Sequence, residues 1–143
     1  MKKNLYLHAG ISKTGSSYLQ SNFYFNSVEF AKEDCLYLDS GRASREAVAH
    51  SHFAYTMLEK YPACAKAEEK PGFDAVIKEI DGEVRASPGT NFVCSSEPIL
   101  SVCNEGKLKK LASGLRKVAE CKVVRLFSFS KSLTHGSRAG ISK

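Results

Sequence analysis

Short apolar runs alternate along this chain with stretches in which apolar residues recur every three or four positions. Leu5-Tyr6-Leu7-His8 is the first run and stops at Gly10, as a buried strand does. From Ser16 to about position 32 the spacing turns helical: Leu19 and Phe23 lie one turn apart, and Val28 and Phe30 continue the apolar side. Cys35-Leu36-Tyr37-Leu38 predicts a second extended segment, ended by the turn-forming Asp39-Ser40-Gly41. Ser44 then predicts the cap of a helix running to about Tyr61 and closed by Pro62. Pro71 opens another helix, with Phe73, Val76, Ile77, Ile80 and Val84 on one face and Ser87-Pro88-Gly89 at its end. Asn91-Phe92-Val93-Cys94 predicts a strand. Leu108, Leu111, Leu115 and Val118 mark a helix over about 105–119, and Cys121 to Phe127 the last strand. Strands alternating with helices predict an α/β domain over 1–127, a three-layer fold with a short, mostly parallel sheet. Beyond Phe127 the period is lost, and 128–143 reads as an irregular tail.

Composition narrows this picture. Of 143 residues 43% are hydrophobic and 25% charged, the balance of a folded domain that buries its own core. The net charge of +6 favours anionic partners. The densest basic cluster, Lys107, Lys109, Lys110, Arg116 and Lys117, reads as the solvated face of an amphipathic helix. Aromatic residues fall in strand and helix cores rather than between lysines and arginines, which speaks against a nucleic-acid partner. Five cysteines, an odd number with no CxxC pair, speak against a disulfide framework and a zinc site, and are expected as reduced thiols. The start has two lysines but no long apolar run, so neither a signal peptide nor a membrane span is expected, and the location expected is cytoplasmic.

The segment Gly10-Ile-Ser-Lys13-Thr14-Gly15-Ser16-Ser17 carries the chemistry. It leaves a strand and enters a helix, where the first backbone N–H groups have no intrahelical partners and the helix dipole adds partial positive charge. That is an anion site. Gly10 and Gly15 permit tight turning and close approach of a ligand, Lys13 brings a full charge, and Thr14, Ser16 and Ser17 bring hydroxyl donors. Gly10 and Gly15 have the spacing of the G-x-x-x-x-G-K-[ST] loop of nucleotide-hydrolysing proteins, but Ser16 stands where that loop places its lysine. A P-loop-like kinase or NTPase is therefore an alternative, not the first reading.

Lys13-Thr14-Gly15-Ser16-Ser17 after a strand resembles the K-[ST]-G-[ST]-[ST] loop of the sulfotransferase superfamily. The likeness is to bacterial sulfotransferase-like proteins. It takes in His8, Gly10 and Gln20 and, in weaker patches, Asn26, Leu36-Tyr37, His50-Ser51-His52 and Ser95-Ser96-Glu97. The resemblance implies sulfuryl transfer from 3′-phosphoadenosine 5′-phosphosulfate to a hydroxyl or amine acceptor, a carbohydrate being the family-weighted choice, with no metal. Gly10, Lys13, Thr14, Gly15, Ser16 and Ser17 would bind the donor, and Lys13 would stabilise charge on its bridging oxygen. An acceptor hydroxyl needs a base: Glu97 is the first candidate, His52 the second and His8 the third. As plain structural residues, Glu97 is a charge at a helix start, His50 and His52 are partly buried helix histidines, and Gln20 and Asn22 belong to a helix surface.

The chain departs from the family where the 3′-phosphate site should follow. Ser128-Phe129-Ser130 stands after the last strand in place of an arginine, Arg125 comes too early, and Arg138 lies in the tail. This leads to the expectation of a truncated or frameshifted sulfotransferase with an incomplete sheet. The alternative is an inactive remnant that only binds an anion or adenosine phosphate.

Overall fold

A computed structural model describes residues 3–10, 15–58, 62 and 71–118, together with the backbone of 121–127. Four strands, β1 (Lys3–His8), β2 (Cys35–Tyr37), β3 (Asn91–Ser95) and β4 (Cys121–Phe127), form one sheet in the order β2-β3-β1-β4. Every pairing is parallel. Leu5 lies opposite Phe92 and Val124, and Leu36 opposite Phe92. The helices are α1 (Ser16–Phe25), α2 (Ser27–Lys32), α3 (Ser51–Tyr55), α4 (Phe73–Ala86), α5 (Ile99–Val102) and α6 (Glu105–Leu115). The α/β reading holds.

Alternate strand side chains serve opposite faces of the sheet, as the pleat requires. Leu5, Leu7, Leu38, Phe92 and Cys94 join one buried cluster with Phe73, Val76, Ile80 and Val84 of α4, Leu111 and Leu115 of α6, Phe53 of α3 and Ile99 of α5. On the other face Tyr37 stacks on Phe23 of α1, with ring centroids 5.5 Å apart. α2 packs against β2 and α1. Parallel crossovers are right-handed, so connections that run in opposite directions along the sheet lie on opposite faces. The crossover from β1 runs to β2, whereas that from β3 runs past β1 to β4. The carboxyl ends of β1 and β3 therefore flank a point where the connections part to the two faces.

Two helices depart from the sequence reading. The predicted helix over 16–32 is broken at Asn26 (φ −107°, ψ 18°), whose side chain donates to the Asn22 carbonyl at 3.0 Å. The helix expected from Ser44 begins only at Ser51. Residues 39–50 form a loop instead, because side chains from elsewhere claim its backbone. Glu83 of α4 accepts from the amides of Asp39 and Ser40, both at 2.8 Å, and the Tyr37 hydroxyl donates to the Val48 carbonyl at 2.7 Å. The end of that predicted helix, at 59–61, lies outside the described residues, as does the predicted tail.

Candidate functional site

The carboxyl ends of β1 and β3 converge on a polar cluster at the parting point, the place where open α/β sheets bind ligands. β1 delivers His8 and, two residues on, Gly10. β3 delivers Ser95, followed by Ser96 and Glu97. The Ser96 amide donates to the His8 carbonyl at 2.9 Å, so the two chain ends stay side by side past the last strand pair. The wholly buried His8 ring lies with Nδ1 2.7 Å from the Ser95 hydroxyl. Burial holds the His8 pKa below the usual imidazole value, and the Glu97 carboxylate partly opposes this. His8 and Glu97, two of the three expected bases, thus feel each other.

The glycine loop returns to the same place. α1 begins at Gly15, which sits in the left-handed region (φ 86°) and gives the helix no side-chain cap. Gly10 packs directly on Ser16: a Cβ there would lie 2.8 Å from the Ser16 Cβ and 3.3 Å from His8 Cε1. Only glycine fits. Ser16 is buried, while Gly15 and Ser17 are exposed. Gln20, one turn after Ser16 on the same helix face, is 4% exposed, which corrects its expected place on the helix surface. Its Nε2 and the Ser96 Oγ are buried with no hydrogen-bond partner among the described residues. Lys13 and Thr14 lie outside the described residues.

The remaining histidines go elsewhere. His50 stands at the start of α3 and is wholly buried, so it is not the partly buried helix residue expected. Its Nδ1 accepts from the Ser95 amide at 3.0 Å, which leaves Nε2 to donate to the Leu38 carbonyl at 2.8 Å. Burial is the main reason its pKa is pushed down to about 4, with the nearby Arg42 adding to it. His52, on α3, is buried too. Burial lowers its pKa, and the charge it feels is that of Glu79 on α4. Of the cysteines, Cys94 is buried, and Cys35 and Cys103 are half-buried. All three are free thiols pushed up in pKa chiefly by burial. Cys64 lies outside the described residues, and of Cys121 only the backbone is described.

A second feature was not legible in the sequence. Beyond the carboxyl end of β2 lies an open groove of about 1120 Å³, lined by Tyr24, Phe25, Ser27, Asp39, Ser40, Arg42, Ser44, Arg45 and Glu79. Asp39, Ser40, Arg42, Ser44 and Arg45 come from the loop after β2, and the rest from α1, α2 and α4. Two arginines there carry no motif.

Among the described residues no three His, Cys, Asp or Glu side chains group to hold a metal ion, and no helix is long and apolar enough to cross a membrane. Compared with protein-family models, with curated proteins and with solved structures, the chain finds no match in any of the three.

Proposed function

We propose that this chain is a sulfotransferase that binds 3′-phosphoadenosine 5′-phosphosulfate through the loop 10–17, on a P-loop-like α/β domain. The observation that carries the reading is the packing of Gly10 on Ser16, which sets the start of α1 against the carboxyl end of β1. The start of a helix, with its dipole, favours a phosphate. The buried donors Gln20 Nε2 and Ser96 Oγ add hydrogen-bonding capacity at the same end of the sheet. A nucleotide-hydrolysing enzyme needs a lysine after Gly15, and Ser16 stands there.

In this reading the amides and hydroxyls of Thr14 to Ser17 hold the 5′-phosphate. The bond between sulfur and the bridging oxygen breaks as the acceptor oxygen attacks sulfur in line. Lys13 stabilises the negative charge that collects on the bridging oxygen, and Glu97 takes the acceptor's proton. Its carboxylate lies within electrostatic reach of His8 at the carboxyl edge of the sheet. Positioning and electrostatics supply the catalysis. Calorimetric titration with 3′-phosphoadenosine 5′-phosphate tests this, beside ATP–Mg²⁺ and with Lys13→Ala as the control. Micromolar binding of the bisphosphate that Lys13→Ala abolishes is expected. No binding by the folded protein would leave a remnant without a donor site, and binding of ATP–Mg²⁺ alone would make the chain a P-loop-like nucleotide enzyme.

A further inference from the structure

We infer that α1 is the surface through which two copies of this chain pair, helix against helix and antiparallel across a two-fold axis. Among the described residues the large apolar side chains left exposed are Tyr18 (77%), Phe25 (75%) and Val28 (69%), and all three lie on α1 and at the start of α2. Scattered singly such residues mean little, but gathered on one short stretch they mark an interaction surface. The helix turns them outward because its other side is taken. Ser16, Gln20 and Phe23 follow one another by a turn on the side facing the sheet, where Ser16 meets Gly10 and Phe23 stacks on Tyr37. Tyr18, Ser21, Asn22 and Phe25, at i, i+3, i+4 and i+7, form the opposite stripe. Between its two rings this stripe is low. Ser21 is small, and the Asn22 amide folds back to donate to the Tyr18 carbonyl at 2.9 Å, as that of Asn26 does to the Asn22 carbonyl at 3.0 Å. A facing helix can come close there.

Charge selects the occupant. The chain carries +6, so a second copy is repelled wherever basic faces meet. From Thr14 to Val28 there is no charged residue at all. An acidic partner gains nothing by docking on such a face. A helix made for a membrane surface flanks its apolar side with lysine and arginine, which α1 does not. A second copy, in contrast, meets no like charge here.

The stripe is also complementary to itself. A two-fold interface sets residue i on residue j and j on i. With two α1 helices antiparallel, Tyr18 of each copy meets Phe25 of the partner subunit, and Ser21 and Asn22 lie at the axis. Two aromatic side chains bury about 150–250 Å² each, roughly half of the ~800 Å² per partner of a stable interface. Val28 and the polar residues around the rings add to this, so the dimer forms at micromolar concentration and parts on dilution. Apart, each α1 is bare and opens readily; paired, it is covered. The pairing does not depend on the sulfuryl-transfer reading.

The test is sedimentation velocity of the full chain from low micromolar to several hundred micromolar concentration. Expected is a rise from the mass of one chain toward twice that mass. Tyr18→Glu and Phe25→Lys should each weaken association about tenfold or more. Both side chains are exposed, and each new charge suits its end of the helix dipole, so melting temperatures measured at high dilution stay at the wild-type value. The decisive arm mixes the two variants. In an antiparallel pair of one chain of each, one Tyr18–Phe25 contact survives and glutamate meets lysine at the other, so the mixture associates more tightly than either variant alone. The mass of one chain for the wild type at every concentration, association unchanged in both variants, or a mixture no tighter than its components would each overturn the assignment.

Discussion

His50 holds together the ends of β2 and β3 with a neutral ring, since Nδ1 must be free of a proton to accept from the Ser95 amide. An unfolded histidine protonates near pH ~6.5, whereas the folded ring resists protonation to about 4. Between those values the unfolded state binds more protons. Stability is therefore full above about pH 6.5 and falls as pH drops toward 4, by about 3 kcal/mol for this residue. Urea unfolding at pH 7 and pH 5 should show the loss. His50→Gln, whose amide still donates to Leu38, should flatten the slope, and an unchanged slope would move the effect to other groups. His8 and His52, also held neutral by burial, add in the same direction and leave a residual slope. At this scale the sequence was legible where chemistry and spacing coincide: Gly10, Gly15 and Ser16 meet as a loop because only glycine fits against Ser16. His50 was not, because the groups that hold its ring, at Leu38 and Ser95, lie 12 and 45 residues away in sequence, and Gln20 was not, because nothing in its local spacing marks it as buried.

Among the elements, α4 and α6 show how closely the main core is packed. A Cβ on Gly114 of α6 would lie 2.7 Å from Phe73 Cζ and 3.3 Å from Ile77 Cδ1, both on α4. Alanine improves helix propensity by up to about 1 kcal/mol, whereas overpacking a tight core costs about 1–3 kcal/mol. The Phe73 ring, stacked near Phe53 at 6.3 Å and 6% exposed, has little room to yield. Gly114→Ala should therefore lower the melting temperature, and a rise would show that the ring moves aside. Glu83 acts on an element of a different kind. It joins α4 to the loop after β2 through two charge-assisted bonds, so Glu83→Ala should destabilise by about 1–3 kcal/mol and loosen the groove. Thermal melts of that variant check the first effect, and amide exchange over 39–50 the second. α4 was legible because its own apolar spacing sets its buried face, and all five marked residues are buried. The loop over 39–50 was not. Ser44 is a sound helix cap locally, but Glu83 and Tyr37 bind the backbone of this loop, and local propensity yields to those tertiary contacts.

Over the whole molecule the two faces of the sheet differ in what covers them. The face toward α3–α6 carries the continuous apolar cluster. The face toward α1 and α2 is thinner: α1 buries only Ser16 and Gln20, α2 buries nothing, and Tyr18, Phe25 and Val28 lie open. Few buried apolar contacts mean a low free energy of local opening. Amide exchange should therefore be fast in α1 and α2 and slow in α4, β1 and β3. The proposed anion site sits at the start of the weaker layer, and a ligand that binds only the closed helix stabilises it by mass action. Adding 3′-phosphoadenosine 5′-phosphate should slow exchange at 15–20 and spread along α1 toward Phe25, leaving α6 unchanged. Protection confined to α6 and the basic residues Lys107, Lys109 and Lys110 would instead mark nonspecific attraction to a cationic helix face. The parting of the crossovers at β1 and β3 sets these two outcomes apart, because it puts α1 and α6 on opposite faces of the sheet. A single ligand at the carboxyl edge protects the helix whose start it meets, and the packing of Gly10 on Ser16 at the end of β1 makes that helix α1.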